Sequence, residues 1–147
     1  AIAKGYLIIV ITNQAGIGRG LYSVPDFELL TDWMCNQFLR EGILICRVYH
    51  SPYHPVHGLG KYKKDDFSRK PHPGMLLQAQ KELDVDLGRS VFIGDKCTDM
   101  QAGIAAGVGC NVLLGSSDRK NCMELDRVMY ESSLKDSKKY LYHGVDL

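Results

Sequence analysis

The stretch Tyr6–Thr12, YLIIVIT, decides how the rest of the chain is read. It is a continuous β-branched and aliphatic run with no polar face, the pattern of a strand buried on both sides within a parallel sheet. A glycine-rich loop, Asn13–Tyr22, follows it. Ser23 with Asp26 three residues later, and Pro25 between them, forms a capping-box-like helix start. Phe27, Leu30, Trp33, Met34 and Phe38 then recur at helical spacing, and Gly42 stops that helix. Ile43–His50 reads as a second strand.

The alternation continues downstream. Pro73–Leu83 reads as a helix and Ser90–Ile93 as a short buried strand. Thr98–Ala106 reads as a helix capped by Thr98 and ended by Gly107, and Asn111–Leu114 as another buried strand. The tail from Ser116 is polar and weakly patterned, with one short strand and one terminal helix expected. Ser51–His72, rich in Pro, Gly, His and Lys, is a long polar loop of the kind that is usually functional or mobile. Strands alternating with helices predict an α/β fold, a three-layer doubly wound parallel sheet in a single domain over residues 1–147. In such sheets ligands sit at the carboxyl ends of the strands. That rule selects the loops after Thr12 and after Ile93.

Bulk properties exclude several classes. The chain has 147 residues, 45% hydrophobic and 24% charged, with a net charge of +1. That is an ordinary globular balance, with no basic stripe for nucleic acid and no acidic tail. No apolar run approaches the ~18 residues of a membrane span. The first residues lack the long apolar core and small-residue cleavage site of a signal peptide. Cys35, Cys46, Cys97, Cys110 and Cys122 show no C-x-x-C pairing, so they are expected to be reduced apolar fillers in a cytoplasmic protein. The glycine loop is no dinucleotide fingerprint, because Leu21 stands where the third glycine is needed.

Three separated clusters carry polar chemistry. Thr12-Asn13-Gln14 leads into Ala15–Gly20, where a hydroxyl and backbone amides suit a phosphate oxygen. Arg69-Lys70-Pro71 supplies adjacent cations before a helix. Gly94-Asp95-Lys96-Cys97-Thr98-Asp99 ends a strand in a carboxylate, and Asp95 there suits Mg2+, which favours one or two carboxylates plus phosphate oxygens and water. Taken singly these are turn chemistry, a solvated loop and a helix cap. In this order and spacing they resemble the second, third and fourth motifs of the haloacid dehalogenase-like (HAD) superfamily. The strings ITNQAGIGRG, SRKPHPGML and FIGDKCTDMQAG are most similar to its branch of D-glycero-D-manno-heptose 1,7-bisphosphate and histidinol phosphatases. The resemblance runs from about Gly5 to Gly115.

That resemblance implies a Mg2+-dependent phosphomonoesterase working through an aspartyl phosphate, without a large cap domain. The implied substrate is a heptose bisphosphate of surface-polysaccharide synthesis, or alternatively histidinol phosphate or another small phosphoester. Thr12 is expected to hydrogen-bond the transferring phosphoryl group and Lys70 to neutralise it. Asn13, Gln14, Ala15, Arg69 and Lys96 are expected to contact substrate, and Asp95 to ligate Mg2+. Asp99 is expected to steady Lys70 or the loop. A monomer without nucleic-acid or membrane partners is expected.

Two departures stand out. The family's Asp-x-Asp-Gly-Thr nucleophile motif is absent, and Asp84-Val85-Asp86 lies at the wrong end of a strand to replace it. The first strand and catalytic loop are therefore expected to precede Ala1, leaving the polypeptide inactive by itself, or else a non-catalytic phospholigand-binding remnant. Many members of the branch also hold zinc through three Cys and a His. The matching stretches here read Ser51-Pro52-Tyr53-His54-Pro55 and Asp66-Phe67-Ser68, so zinc is not expected. His50, His54 and His57 lie close in sequence, but Pro52 and Pro55 argue against a helix there, and the rings are not expected to converge.

Overall fold

The computed structural model describes residues 5–115, 117–125, 127–133, 135 and 140. The chain forms two compact units, Ala1–Arg69 and Lys70–Leu147. Each contains a parallel sheet with helices, which makes the fold α/β as expected. The described strands fall into two sheets, of two and three strands, where one sheet was expected.

In the first unit, β1 (Ile8–Asn13) pairs in parallel with β2 (Ile45–Ser51), placing Val10 beside Val48 and Thr12 beside His50. The glycine loop is not irregular throughout: Ala15–Gly18 forms a helical turn, α1. The crossover is α2 (Val24–Arg40), and its start follows from local chemistry. The Asp26 amide donates to Ser23 Oγ at 3.2 Å, while Asp26 Oδ2 accepts from the Ser23 amide at 2.8 Å. These bonds from Ser23 hold the Asp26 carboxyl below its ordinary pKa. At the other end Gly42 takes a left-handed φ of 74°. This lets the Ile43 amide reach back to the Phe38 carbonyl at 2.9 Å, satisfying a carbonyl the helix would otherwise orphan.

The periodic apolar residues of α2 are mostly not core. Phe27 is buried, its ring centroid 4.5 Å from that of His50, but Leu30 and Trp33 are 62% and 60% exposed. Likewise β1 is half-buried along its length, where burial on both faces was expected. Periodicity set the secondary structure. What packs on each face set the burial.

The second unit runs α3 (Gly74–Leu83), β3 (Val91–Gly94), α4 (Cys97–Ala106), β4 (Cys110–Leu114) and β5 (Val128–Glu131). The sheet order is β3-β4-β5, all parallel, with Ile93 beside Val112 and Val112 beside Met129. β4 is central, and its Val112 and Leu113 are fully buried. Met75 and Leu76 of α3 and Met100 of α4 are also buried, and each side chain of this size removed from water stabilises by about 1.5–3 kcal/mol. Cys97, Met100, Leu113 and Cys122 form one cluster, with Leu125, Val128 and Tyr130 packed against it. A Cβ at Gly103 would collide with the Asn111 side chain, so α4 approaches β4 more closely than any other residue would permit there. Thr98 is not the cap of α4: the helix begins at Cys97, after Lys96. Of the two elements expected in the tail, the strand is β5. The terminal helix falls on residues that lie mostly outside those described.

Candidate active site

The loop after β3 is organised by one buried carboxylate. Asp99, in the first turn of α4, accepts through Oδ2 from the amides of Asp95 at 3.2 Å and Lys96 at 3.0 Å. Its Oδ1 meets Lys70 Nζ at 2.6 Å. A negative charge in the first turn of a helix is also favoured by the helix dipole. Gly94 makes this closure possible, because a Cβ there would strike the Asp99 carboxylate. Both side chains of the pair are nearly shut off from solvent, at 11% exposure for Lys70 and 6% for Asp99. Asp95 is the opposite case. Its side chain is 71% exposed, and Oδ2 lies 3.7 Å from Lys96 Nζ.

This division of labour bears on a metal. Both oxygens of Asp99 are engaged within the protein, whereas the Asp95 carboxylate projects outward as a hard oxygen donor. Mg2+ is commonly held by one or two carboxylates with water and phosphate oxygens completing its shell, so Asp95 fits that chemistry. Among the described residues, no group of three or more His, Cys, Asp or Glu could hold a metal by itself. The sequence carried no signal for Asp118. Its Oδ2 accepts from the Cys97 amide at the start of α4, and this bond, with one from the Asn121 side chain, lowers the Asp118 pKa. The partners are too far apart in sequence for a local pattern to reveal them.

In the first unit, Thr12 stands near the carboxyl end of β1. Gln14 Nε2 donates to Thr12 Oγ1 at 2.9 Å, Tyr22 OH donates to Gln14 Oε1 at 2.6 Å, and the Gln14 amide donates to the Ser51 carbonyl at 2.7 Å. Asn13 lies beside Ser51 in the ladder, and Ala15 opens α1. The amide cradle expected from the glycine loop is largely withdrawn. The amides of Ile17, Arg19, Gly20 and Leu21 all bond to carbonyls within the loop, so these four are not open to a phosphate oxygen.

The long loop after β2 is tied by side chains. Ser68 Oγ lies 2.9 Å from Ser51 Oγ and donates to Asp66 Oδ1 at 2.6 Å, while Asp66 Oδ2 pairs with Lys64 Nζ at 2.7 Å. Lys64 Nζ in turn sits 4.2 Å from the Tyr53 ring centroid. Burial opposes ionisation of Asp66, but the Lys64 ammonium and the Ser68 hydroxyl and amide outweigh it and hold its pKa at about 2. Arg69 Nη1 donates to the Tyr53 carbonyl at 2.9 Å. The histidines correct an expectation in part. His50 packs on Phe27, but the rings of His54 and His57 do come together, at 4.7 Å. A turn brings them together, not a helix: His54 Nδ1 accepts from the amides of Val56 and His57.

A family profile described as HAD-hydrolase-like matches residues 67–133. The chain is 55% identical over 118 residues to the D-glycero-alpha-D-manno-heptose-1,7-bisphosphate 7-phosphatase of Burkholderia mallei, an alignment covering 80% of this chain and 62% of the relative. Over the matched residues the chain is similar to HAD-like hydrolases. Among solved structures, a HAD-like phosphatase from Mesorhizobium loti matches with a TM-score of 0.80 at 32% identity, over 96% of this chain and 66% of that one. A D,D-heptose 1,7-bisphosphate phosphatase from B. bronchiseptica, complexed with magnesium and phosphate, matches with a TM-score of 0.80 at 24% identity, over 96% of this chain and 76% of that one. This second match speaks to the fold. The chain spans about three fifths of the length of the Burkholderia relative.

The pair Asp84 and Asp86 has structural work. Asp84 ends α3 with a left-handed φ of 52°, and Asp86 Oδ1 accepts from the Arg89 amide at 3.2 Å to cap the turn Leu87–Arg89. No helix among the described residues is long and apolar enough to cross a membrane.

Proposed function

We infer that the protein carrying this chain is a Mg2+-dependent phosphomonoesterase that removes the 7-phosphate of D-glycero-D-manno-heptose 1,7-bisphosphate in the cytoplasm. The observation that carries this is the site after β3: a buried Lys70–Asp99 pair at 2.6 Å beside an exposed Asp95. A fixed ammonium and an open hard-oxygen donor are what a phosphoryl transfer site needs for charge neutralisation. The substrate is supported by the name of the relative at 55% identity. Residues 1–147 serve one catalytic domain in this reading.

The roles follow from the chemistry. The Thr12 hydroxyl donates to a phosphoryl oxygen, and Lys70 offsets the charge on the equatorial oxygens. Asp99 fixes Lys70 and the backbone that carries Asp95. Arg69, Lys96, Asn13, Gln14 and Ala15 contact the substrate. Mg2+ held by Asp95 would polarise the phosphoryl group. The nucleophile is a carboxylate from outside these 147 residues, which contain no Asp-x-Asp-Gly-Thr. It attacks phosphorus, the ester P–O bond breaks, a second carboxyl protonates the leaving alkoxide, and water then hydrolyses the acyl phosphate. The polypeptide of residues 1–147 is accordingly inactive alone.

The test is phosphate release by the full-length protein from heptose 1,7-bisphosphate. One equivalent per substrate is expected, dependent on Mg2+ and lowered at least ~100-fold by Asp95→Asn. No release from this or any other sugar phosphate would refute the assignment. Turnover by the 147-residue polypeptide alone would refute the external nucleophile.

A further inference from the structure

Gln14 is held at both polar ends of its side chain, and the direction of those bonds has a consequence for Thr12. The contact with Tyr22 OH measures 2.6 Å, and the contact with Thr12 Oγ1 measures 2.9 Å. The shorter suits an O–H···O bond and the longer an N–H···O bond. Tyr22 therefore donates to Gln14 Oε1, and Gln14 Nε2 donates to Thr12. A threonine hydroxyl has a single proton. When Oγ1 accepts from Gln14, that proton is not spent inside the relay and can be given to a phosphoryl oxygen. With the amide turned over, Thr12 would donate to Gln14 and meet the phosphoryl group with lone pairs alone.

Two further features build the phenol into this place. A Cβ at Gly16 would fall within the Tyr22 ring, so the ring lies directly over the α1 backbone in a slot that glycine opens. The Leu21 amide bonds the Gly16 carbonyl at 2.9 Å, and that turn returns the chain so that Tyr22 faces Gln14. The Gln14 backbone is itself anchored, its amide bonded to the Ser51 carbonyl. Tyr22 is 36% exposed, so its hydroxyl is not there to fill a core.

We propose that Tyr22 is a positioning residue, which acts through Gln14 to present the Thr12 hydroxyl proton to the phosphoryl group. This rests on the phosphatase reading above. One amide hydrogen of Gln14 stays available for substrate, so Gln14 can serve both roles.

The test is a double-mutant cycle in the full-length enzyme, with steady-state hydrolysis of heptose 1,7-bisphosphate. Thr12→Val is expected to lower kcat/KM about 100-fold, as loss of one transition-state donor does. Tyr22→Phe keeps the ring in its slot and is expected to lower kcat about 10-fold with little change in KM, because the bond matters most in the transition state. In the Thr12→Val background Tyr22→Phe should have no further effect. Gln14→Glu, which accepts from Tyr22 but cannot donate to Thr12, should reproduce the loss in kcat. It also serves as the second measurement if Tyr22→Phe alters thermal stability. Wild-type kcat in both Tyr22→Phe and Gln14→Glu, or a Tyr22→Phe loss that multiplies with that of Thr12→Val, would overturn the relay. Wild-type activity in Thr12→Val would instead overturn the phosphate site itself, and the relay with it.

Discussion

Asp99→Asn removes a charge whose partner cannot retreat into water. At 2.6 Å, and with an effective dielectric of about 20, the Lys70–Asp99 attraction is roughly 6 kcal/mol before the cost of desolvating both groups. That cost offsets much of the gain, so the intact pair adds little net stability. Breaking it is different. The Lys70 ammonium stays buried opposite a neutral amide, and loss of one partner from a buried pair costs about 3–5 kcal/mol. For a chain of this size each kcal/mol moves Tm by about 2–4 °C. Thermal unfolding followed by circular dichroism should therefore show Asp99→Asn melting about 10–15 °C below the parent. Asp95→Asn is the control, because that side chain is 71% exposed, and its melting point should stay within about 2 °C. Adding Lys70→Met to Asp99→Asn should recover part of the loss by removing the buried ammonium. A drop below about 3 °C for Asp99→Asn, or strict additivity in the double variant, would refute the buried-pair account.

The remaining predictions concern the loop after β2. Asp66 is held at about 2 against an ordinary 3.8, so its contribution is complete above about pH 4 and is lost as pH falls through about 2. The Ser68 amide, bonded to Asp66 Oδ1 at 3.0 Å, should report this in a nuclear magnetic resonance titration. A midpoint near 3.8 would contradict the clasp. Elemental analysis of tag-free protein should find no stoichiometric zinc, because Ser51, Asp66 and Ser68 bond to one another across the loop. One zinc per chain would overturn that.

Ser23 and Asp26 illustrate what was legible early. Their two reciprocal bonds span three residues, so a short stretch of sequence specifies the helix start whatever surrounds it. Gly42 and Gly107, each with a left-handed φ, are legible for the same reason. Thr12, Lys70 and Asp95 were legible as polar residues at element ends, and the strings around them carried the resemblance to HAD-like proteins.

Tyr22 was not legible, because its role depends on a glycine that lets the ring lie over a backbone turn. Nor was Asp118, which reaches the start of α4 from a distant turn. Leu30 and Trp33 had the periodicity of a buried stripe and are exposed. By itself the sequence determined the α/β alternation, the Ser23–Asp26 capping box, the glycine stops at Gly42 and Gly107 and the chemical inventory, because each depends on neighbours along the chain. The family resemblance already implied that Asp99 steadies Lys70 or the loop, but only the tertiary structure decided that it does both, through Lys70 and two amides, while the Asp95 side chain stays exposed. That choice is made by which residues packing removes from water, and spacing alone does not contain it.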